Sequence, residues 1–380
     1  MTRLASSGRA TTSTTTTLTK TTRPLAGVQT ERLAGTASLT IDVDSLRCYR
    51  EVHGLPRRDD DGNDPVFTRA LPRFLDVMAK LGRRATLFVV GRDLRTPAAA
   101  EVIRAAAEAG HEIASHSHAH DYRLSRLPPV RIALDLEAAE EAIWQVTGQR
   151  PVGFRAPGYN QSEALFDAIE ERGYHYDSSF LPTPAYFAAR ALAIGLYRVR
   201  LRHTRSLVGD PREFSAPRGP FIPAVGARHR PAERGERQRS FLEIPMGVAS
   251  AARLPWIGTT IALAADVLGT TLTRAALLDE DTPAVLELHA MDFLGDDDDG
   301  VEPALRSAQP DLKVPLAAKL RRLERTMARV CAQRDVLPLA ELAAQGRPVE
   351  LPLPHRFATT PPLPATETNR RHAVSESETA

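Results

Sequence analysis

The chain has 380 residues, 42% of them hydrophobic, which is enough to bury the core of one large domain or two ordinary ones. Lys and Arg outnumber Asp and Glu by only 49 to 47, so no broad cationic surface is expected and nucleic acid is set aside as a partner. Two cysteines, Cys48 and Cys331, neither frame a disulfide scaffold nor carry the spacing of a zinc or redox motif, and read as free thiols in a reducing compartment.

Residues 1–27 are rich in Arg, Ser and Thr and lack the apolar stretch of a secretory signal, so residues 1–36 read as a disordered tail. No apolar run reaches the ~18 residues needed to span a bilayer; Leu254 to Leu268 is interrupted by Pro255 and Gly258. These features predict a cytoplasmic protein, at most peripheral to a membrane, and carry no signal for its oligomeric state.

From Ser38 to about Gln345, short β-rich runs alternate with longer segments of helical spacing, the pattern of one α/β domain over residues 37–345. Strands are predicted at Ser38 to Asp44, Ala85 to Val90, His111 to Ser117, Val152 to Ala156, Tyr174 to Ser178, Phe241 to Met246 and Ala284 to Ala290. One helix starts at the Thr96–Pro97 cap and closes at Gly110, and a second follows Pro128 and Pro129 and ends before Gly148. A third runs from Asn160 to near Gly173, and a fourth from Leu316 to Val330 has one apolar face for packing on the surface. The Arg- and Pro-rich stretch around residues 190–240 breaks this rhythm and reads as an insertion or long loop. Its acids Glu213, Glu233 and Glu236 dilute the positive charge, which favours a solvated loop over a phosphate or anionic-lipid contact. Residues 346–380, rich in Pro and Thr, read as a second disordered tail.

Five short elements carry the chemistry. LTIDVDS places Asp42 and Asp44 at alternating positions near a strand end, where two like charges facing one cavity need a cation or an arginine. HEIASHSHAHDY supplies His116, His118 and His120 after a strand. A helical turn after Ser115 would put His116 and His120, four apart, on one side, where neutral imidazoles bind a divalent metal and Asp44 completes three ligands with one open position. His118 is the competing ligand and reads better as a polar neighbour. GFRAPGY places Arg155 where it can balance a catalytic acid, YHYDSS offers Asp177, and AVLELHAMDF offers His289 at the end of a run in which Leu286 and Leu288 flank Glu287. An Asp beside an imidazole can orient it and raise its basicity. The acidic run Asp296 to Asp299 lacks the spaced ligands and fixed glycine of a calcium loop and reads as a solvated turn.

In this order the five elements resemble the polysaccharide deacetylase family, also called the NodB homology domain or carbohydrate esterase family four, over roughly Leu39 to His289. HSHAH matches the family's second motif, and RAP and LELH match the third and fifth in order and spacing. In the first motif Val43 separates two acids that are adjacent in the common pattern, a DVD form met in some deacetylase-like amidases and deformylases. The resemblance implies a distorted (β/α) barrel of about seven parallel strands with the site at their C-terminal ends. Carried residue by residue, it implies a general base at Asp42, oriented by Arg155, and one divalent metal ion on Asp44, His116 and His120. That ion is zinc first, with cobalt, nickel or iron as alternatives. It further implies a general acid at His289 tuned by Asp177, although YDSS lacks the large aromatic residue often found nearby. Tyr159 and Leu288 would contact the substrate, Leu288 by lining the acyl pocket. The implied reaction removes an N-acyl group, first an N-acetyl, from an amino sugar, a glycan or a lipid-linked sugar precursor. The alternatives are a deformylase or amidase acting on another linear C–N bond, and a noncatalytic carbohydrate-binding pseudoenzyme.

Overall fold

A computed structural model describes residues 27–56, 62–199, 207, 209–249, 252–349 and 351. The predicted tails fall largely outside the described residues. Where residues 27–36 are described, they belong to the folded unit: the Gln29 N–H donates to the Gly346 carbonyl at 2.9 Å, and Leu33 is buried against Gly346. Composition marked this stretch as tail because one buried leucine among polar neighbours carries no periodicity.

Seven strands lie parallel in one curled sheet: β1 Thr36–Val43, β2 Thr86–Val89, β3 Glu112–Ser115, β4 Gly153–Phe154, β5 Tyr176–Asp177, β6 Leu242–Glu243 and β7 Ala284–His289. Their order is β7–β1–β2–β3–β4–β5–β6, and an eighth, β8 Asp335–Val336, pairs with the start of β1. Six of the seven core strands fall inside the predicted runs, and β1 begins two residues ahead of its run, at Thr36. β6 and β7 do not pair as strands, so the barrel is distorted; the chain after β6 bridges the gap, with the Gly247 N–H donating to the Val285 carbonyl at 2.7 Å. Only glycine fits there, because a Cβ would lie 2.7 Å from both that carbonyl and the Trp256 ring.

The helices used below are α1 Leu46–Val52, α2 Leu71–Leu81, α3 Pro97–Glu108, α4 Pro129–Thr147, α5 Glu163–Glu171, α6 Pro184–Val199, α7 Gly258–Leu263, α8 Asp266–Ala276 and α9 Leu316–Gln333. Proline opens α3 and α4 at their first turn, where its missing N–H costs nothing, and Gly148 closes α4 at φ 72°. The stretch read as an insertion includes the end of α6 and a two-stranded hairpin, 223–224 with 227–231. Arg228 and Arg239 there are buried and spent internally, on Glu213 at 2.9 Å and Glu163 at 2.8 Å, so they form a folded ion-pair network instead of a solvated loop.

Period-two alternation decides what each strand shows to which layer. Along β1, Leu39, Ile41 and Val43 join the core beneath α2 and α9, whereas Ser38, Thr40 and Asp42 face the barrel interior. Along β7, Leu286 and Leu288 join the same outer core, and Val285, Glu287 and His289 point inward. Polar side chains thus gather inside the barrel near the C-terminal strand ends. The acidic run closes as a turn in which Asp298 pairs with Arg73 at 2.7 Å.

Candidate active site

Asp42 ends the inward row of β1, and Asp44 follows as the chain turns into α1. Across the barrel, Arg155 leaves β4 and reaches β1: its Nη1 donates to Asp42 Oδ1 at 2.6 Å and to Thr40 Oγ1 at 3.1 Å, and its Nε donates to the Ser178 carbonyl at 2.8 Å. The guanidinium lies over the Phe88 ring, 4.0 Å from its centroid. Both charges are buried, and leaving either alone would cost about 3–5 kcal/mol, which fixes the pair. Asp42 Oδ2 is left without a hydrogen-bond partner.

His116 follows β3, and its Nδ1 donates to the Arg155 carbonyl at 2.8 Å. That bond sets the tautomer and leaves the Nε2 lone pair facing inward, 3.5 Å from Asp44 Oδ1 and 3.8 Å from Asp42 Oδ2. Burial holds this imidazole below its ordinary pKa, and the neighbouring carboxylates do not offset it. His120 Nε2 lies 3.2 Å from Asp44 Oδ1, and the two rings stand 5.0 Å apart. The predicted helical turn is absent. Ser117 and His120 adopt left-handed backbone, φ 64° and 52°, and the His120 N–H donates to Ser117 Oγ at 3.0 Å. The Asp135 carboxylate of α4 accepts from the His118 and Ala119 N–H groups, so side-chain caps build this turn where a helix would use its own carbonyls. His118 packs its ring against Gly91 and α4, away from the other two histidines.

Asp44 Oδ1 and His120 Nε2 are buried and lack hydrogen-bond partners, an arrangement that is costly unless a positive charge lies between them. Burial would raise the Asp44 pKa, but His120, His116 and His289 outweigh it and hold the carboxyl well below its usual range. An ionised carboxylate, an imidazole with a committed Nδ1 and a second orphaned imidazole form a donor set that fits a divalent cation. Among the described residues, two groups bring three possible ligand atoms within 4.8 Å: Asp44, Cys48 and His120, and Asp42, Glu287 and His289. Cys48, on the first turn of α1, is therefore an unforeseen neighbour of the centre. In the second group Asp42 is already held by Arg155, so its geometry is that of an acid–base pair.

His289 closes β7 with Nε2 4.0 Å from Asp42 Oδ2. Its partner is not Asp177. Nδ1 lies 2.9 Å from Glu287 Oε1, at an angle outside hydrogen-bond geometry, so the contact is an ion pair. Burial opposes the imidazolium, yet Glu287 and, more weakly, Asp42 and Asp44 drive the His289 pKa well above its ordinary value. Asp177 ends β5, five places from β7 in the sheet order, and its oxygens accept from Gln161 Nε2 at 2.9 Å and Ser179 Oγ at 2.8 Å. Burial pushes its pKa up to about 6, although hydrogen bonds from Glu243 and Ser179 act in the opposite direction.

Tyr159 lines the cavity, with its hydroxyl donating to Glu287 Oε1 at 3.0 Å. Leu288 does not line it: alternation turns this side chain outward into the core under α7, where a Cβ on Gly258 would come within 2.8 Å of it. The cavity measures about 430 Å³ and contains Asp42, Asp44, His116 and His289, with α6 and residues 255–263 supplying much of the remaining wall.

The family model described as polysaccharide deacetylase matches residues 60–176. The chain is 26% identical over 151 residues to a peptidoglycan deacetylase of Helicobacter pylori, covering 38% of this chain and 50% of that protein. It is 30% identical over 116 residues to a peptidoglycan-N-acetylglucosamine deacetylase of Bacillus cereus, covering 30% and 51%. It thus spans about half the length of these relatives. A solved structure described as a polysaccharide deacetylase from Mycobacterium smegmatis superposes over 85% of this chain and 94% of its own, at 21% identity and a TM-score of 0.50, a likeness of fold. Residues 60–176 thus match the polysaccharide deacetylase model, and the barrel as a whole has the fold of the Mycobacterium structure.

Proposed function

We propose that the protein is a metal-dependent hydrolase that removes an N-acyl group, first an N-acetyl, from an amino sugar or a glycan precursor. The observation that carries this reading is Asp42 Oδ2, which is buried, unpartnered and flanked by His116 Nε2 at 3.8 Å and His289 Nε2 at 4.0 Å, while Arg155 pins the other oxygen. A proton acceptor and a proton donor thus lie side by side on the wall of one cavity. The names of the Helicobacter and Bacillus relatives support N-deacetylation as the first activity to test.

Asp44, His116 and His120 would hold the cation. A divalent ion there, zinc being the first to test, supplies Lewis acidity to the amide carbonyl and lowers the pKa of water from ~15.7 toward ~7. Asp42 Oδ2 takes the proton of the attacking water, and Arg155 keeps that oxygen aimed by holding its twin. As the C–N bond breaks, His289 Nε2 gives its proton to the leaving nitrogen, so the products are a carboxylate and a free amine. Glu287, fixed by Tyr159, orients His289 from the opposite ring nitrogen and favours its protonated form. The roles come from the ends of four strands of one sheet, β1, β3, β4 and β7, which keeps the geometry without a moving part.

The experiment is incubation of zinc-loaded protein with N-acetylated and N-formylated amino sugars. Released acetate supports the reading, released formate replaces it with deformylation, and neither product from a fully metallated chain would count against hydrolysis.

A further inference from the structure

One wall of the cavity hangs on the outer edge of β7. The barrel is open between β6 and β7, so β7 pairs along its length with β1 on one side only. Residues 255–263 come up to the other side. Ile257 makes an isolated parallel bridge to Glu287, and Ile257, Thr259, Thr260 and Leu263 line the cavity. A single backbone bridge is a weak tie for a wall that must hold substrate against His289. The stronger tie is a side chain that the mechanism above does not use.

Asp292 stands in the turn that follows β7, fully buried, with both carboxylate oxygens occupied. Oδ2 accepts from the His289 N–H at 2.9 Å, and Oδ1 accepts from the Thr259 hydroxyl at 3.2 Å. One rigid carboxylate therefore grips the main chain of the general acid and the first turn of α7 together. Gly258 leaves the room this requires, because a Cβ there would run into Asp292 Oδ2. The turn carrying Asp292 is itself anchored from the outer layer. Lys319 of α9, fully buried, donates to the Met291 carbonyl at 3.2 Å and pairs with Asp311 at 3.3 Å. A buried carboxylate is costly unless its oxygens are bonded, so neither donor can leave without disturbing the other.

We propose that Asp292 is a positioning residue: it fixes the main chain of His289 relative to the α7 wall, so that a leaving nitrogen held against that wall meets the imidazole that protonates it. The inference rests on the reading of His289 as the general acid of a deacylase. It adds that the site uses Asp292 as a pair of hydrogen-bond acceptors and does not require its charge.

The test compares the zinc-loaded full chain on an N-acetyl amino sugar and on 4-nitrophenyl acetate, whose leaving group departs without a proton. Asp292→Ala should lose about 10- to 100-fold in kcat on the amide, the cost of a general acid displaced on the ångström scale, and cleave the ester close to the wild-type rate. Asp292→Asn should recover most of the amide activity, since its oxygen can accept from the His289 N–H and its NH2 can donate to the Thr259 hydroxyl. Equal losses on amide and ester in Asp292→Ala, or an Asp292→Asn variant as impaired as Asp292→Ala, overturns the proposal. The asparagine variant decides the matter even where the alanine variant does not fold. Hydrogen exchange read by mass spectrometry follows the same tie without turnover. Exchange in Asp292→Ala should speed up in both 255–263 and 284–293, and acceleration confined to one of them overturns the proposal. If wild type releases no acyl group from any sugar, the hydrolase reading fails, while the exchange measurement still decides whether Asp292 joins the two segments.

Discussion

Glu287 and His289 stand two residues apart on β7 and point into the same barrel interior, with Oε1 of one 2.9 Å from Nδ1 of the other. The carboxylate is itself held by the Tyr159 hydroxyl at 3.0 Å, so the imidazole has a fixed partner on the ring nitrogen that faces away from Asp42. Because Glu287 stabilises the imidazolium, removing its charge must lower the His289 pKa. Glu287→Gln is expected to reduce kcat by about 10- to 100-fold, in the range assigned to a positioned general acid. The alkaline limb of kcat/KM should also move to lower pH, since His289 then loses its proton earlier. A pH–rate profile with an unmoved alkaline limb would remove Glu287 from this role.

The ligand assignment separates two neighbouring carboxylates. Asp44→Ala, His116→Ala and His120→Ala should each lose most of the bound metal, because each deletes one of three donors, the Asp44 carboxylate or one of the two imidazoles that approach its Oδ1. Asp42→Asn keeps its metal and loses turnover, since its free oxygen is the proposed proton acceptor. Metal per chain by emission spectrometry, alongside acetate release, checks both halves. Full activity in metal-free Asp44→Ala protein would refute the division.

Leu288 gives a prediction on packing. Its side chain is fully buried in the outer core under α7, so Leu288→Ala should cost about 2–5 kcal/mol of stability through lost burial and the cavity left behind. The preference for acetyl over longer acyl groups should stay as in wild type. A changed acyl preference in thermally stable Leu288→Ala protein would return this residue to the substrate pocket.

Glu213 supplies a pH dependence far from catalysis. Burial pushes its carboxyl from 4.5 up to about 7, even with Arg228 at 2.9 Å. A raised folded pKa means that the folded state keeps a proton the unfolded chain releases. The contribution is therefore fully present below pH 4.5 and is lost as pH rises through about 7. Glu213→Gln removes this titration, while Arg228 retains Asp210 at 3.2 Å. Melting temperatures measured from pH 4.5 to 8 should fall less steeply with rising pH in the variant, and parallel curves would show that Glu213 does not titrate in that window.

Much of the site was legible in the linear chain because strand alternation and strand-end position are local properties. Asp42 and Asp44, the His116 and His120 pair, and His289 all sit at or just past the ends of strands recognisable by their apolar runs. The same alternation already placed Glu287 on the face of His289 and Leu288 on the other, a signal within LELH that could have found the ion pair and excluded Leu288 from the pocket. Asp177 was different: its motif lies in the right order, but five places in the sheet order separate its strand from β7.

The sequence by itself determined an α/β domain, its seven core strands and the set of donors, because these follow from hydrophobic period and residue type, while the barrel was what the family resemblance implied. Only the tertiary structure decided that Glu287, held by Tyr159, stands beside His289 in place of Asp177, that Leu288 turns into the outer core, and that α6 brings Arg190 to the cavity wall. Those pairings depend on strand order and on left-handed turns at Ser117, His120 and Gly158, and contacts closed over more than a hundred residues leave no trace in local spacing.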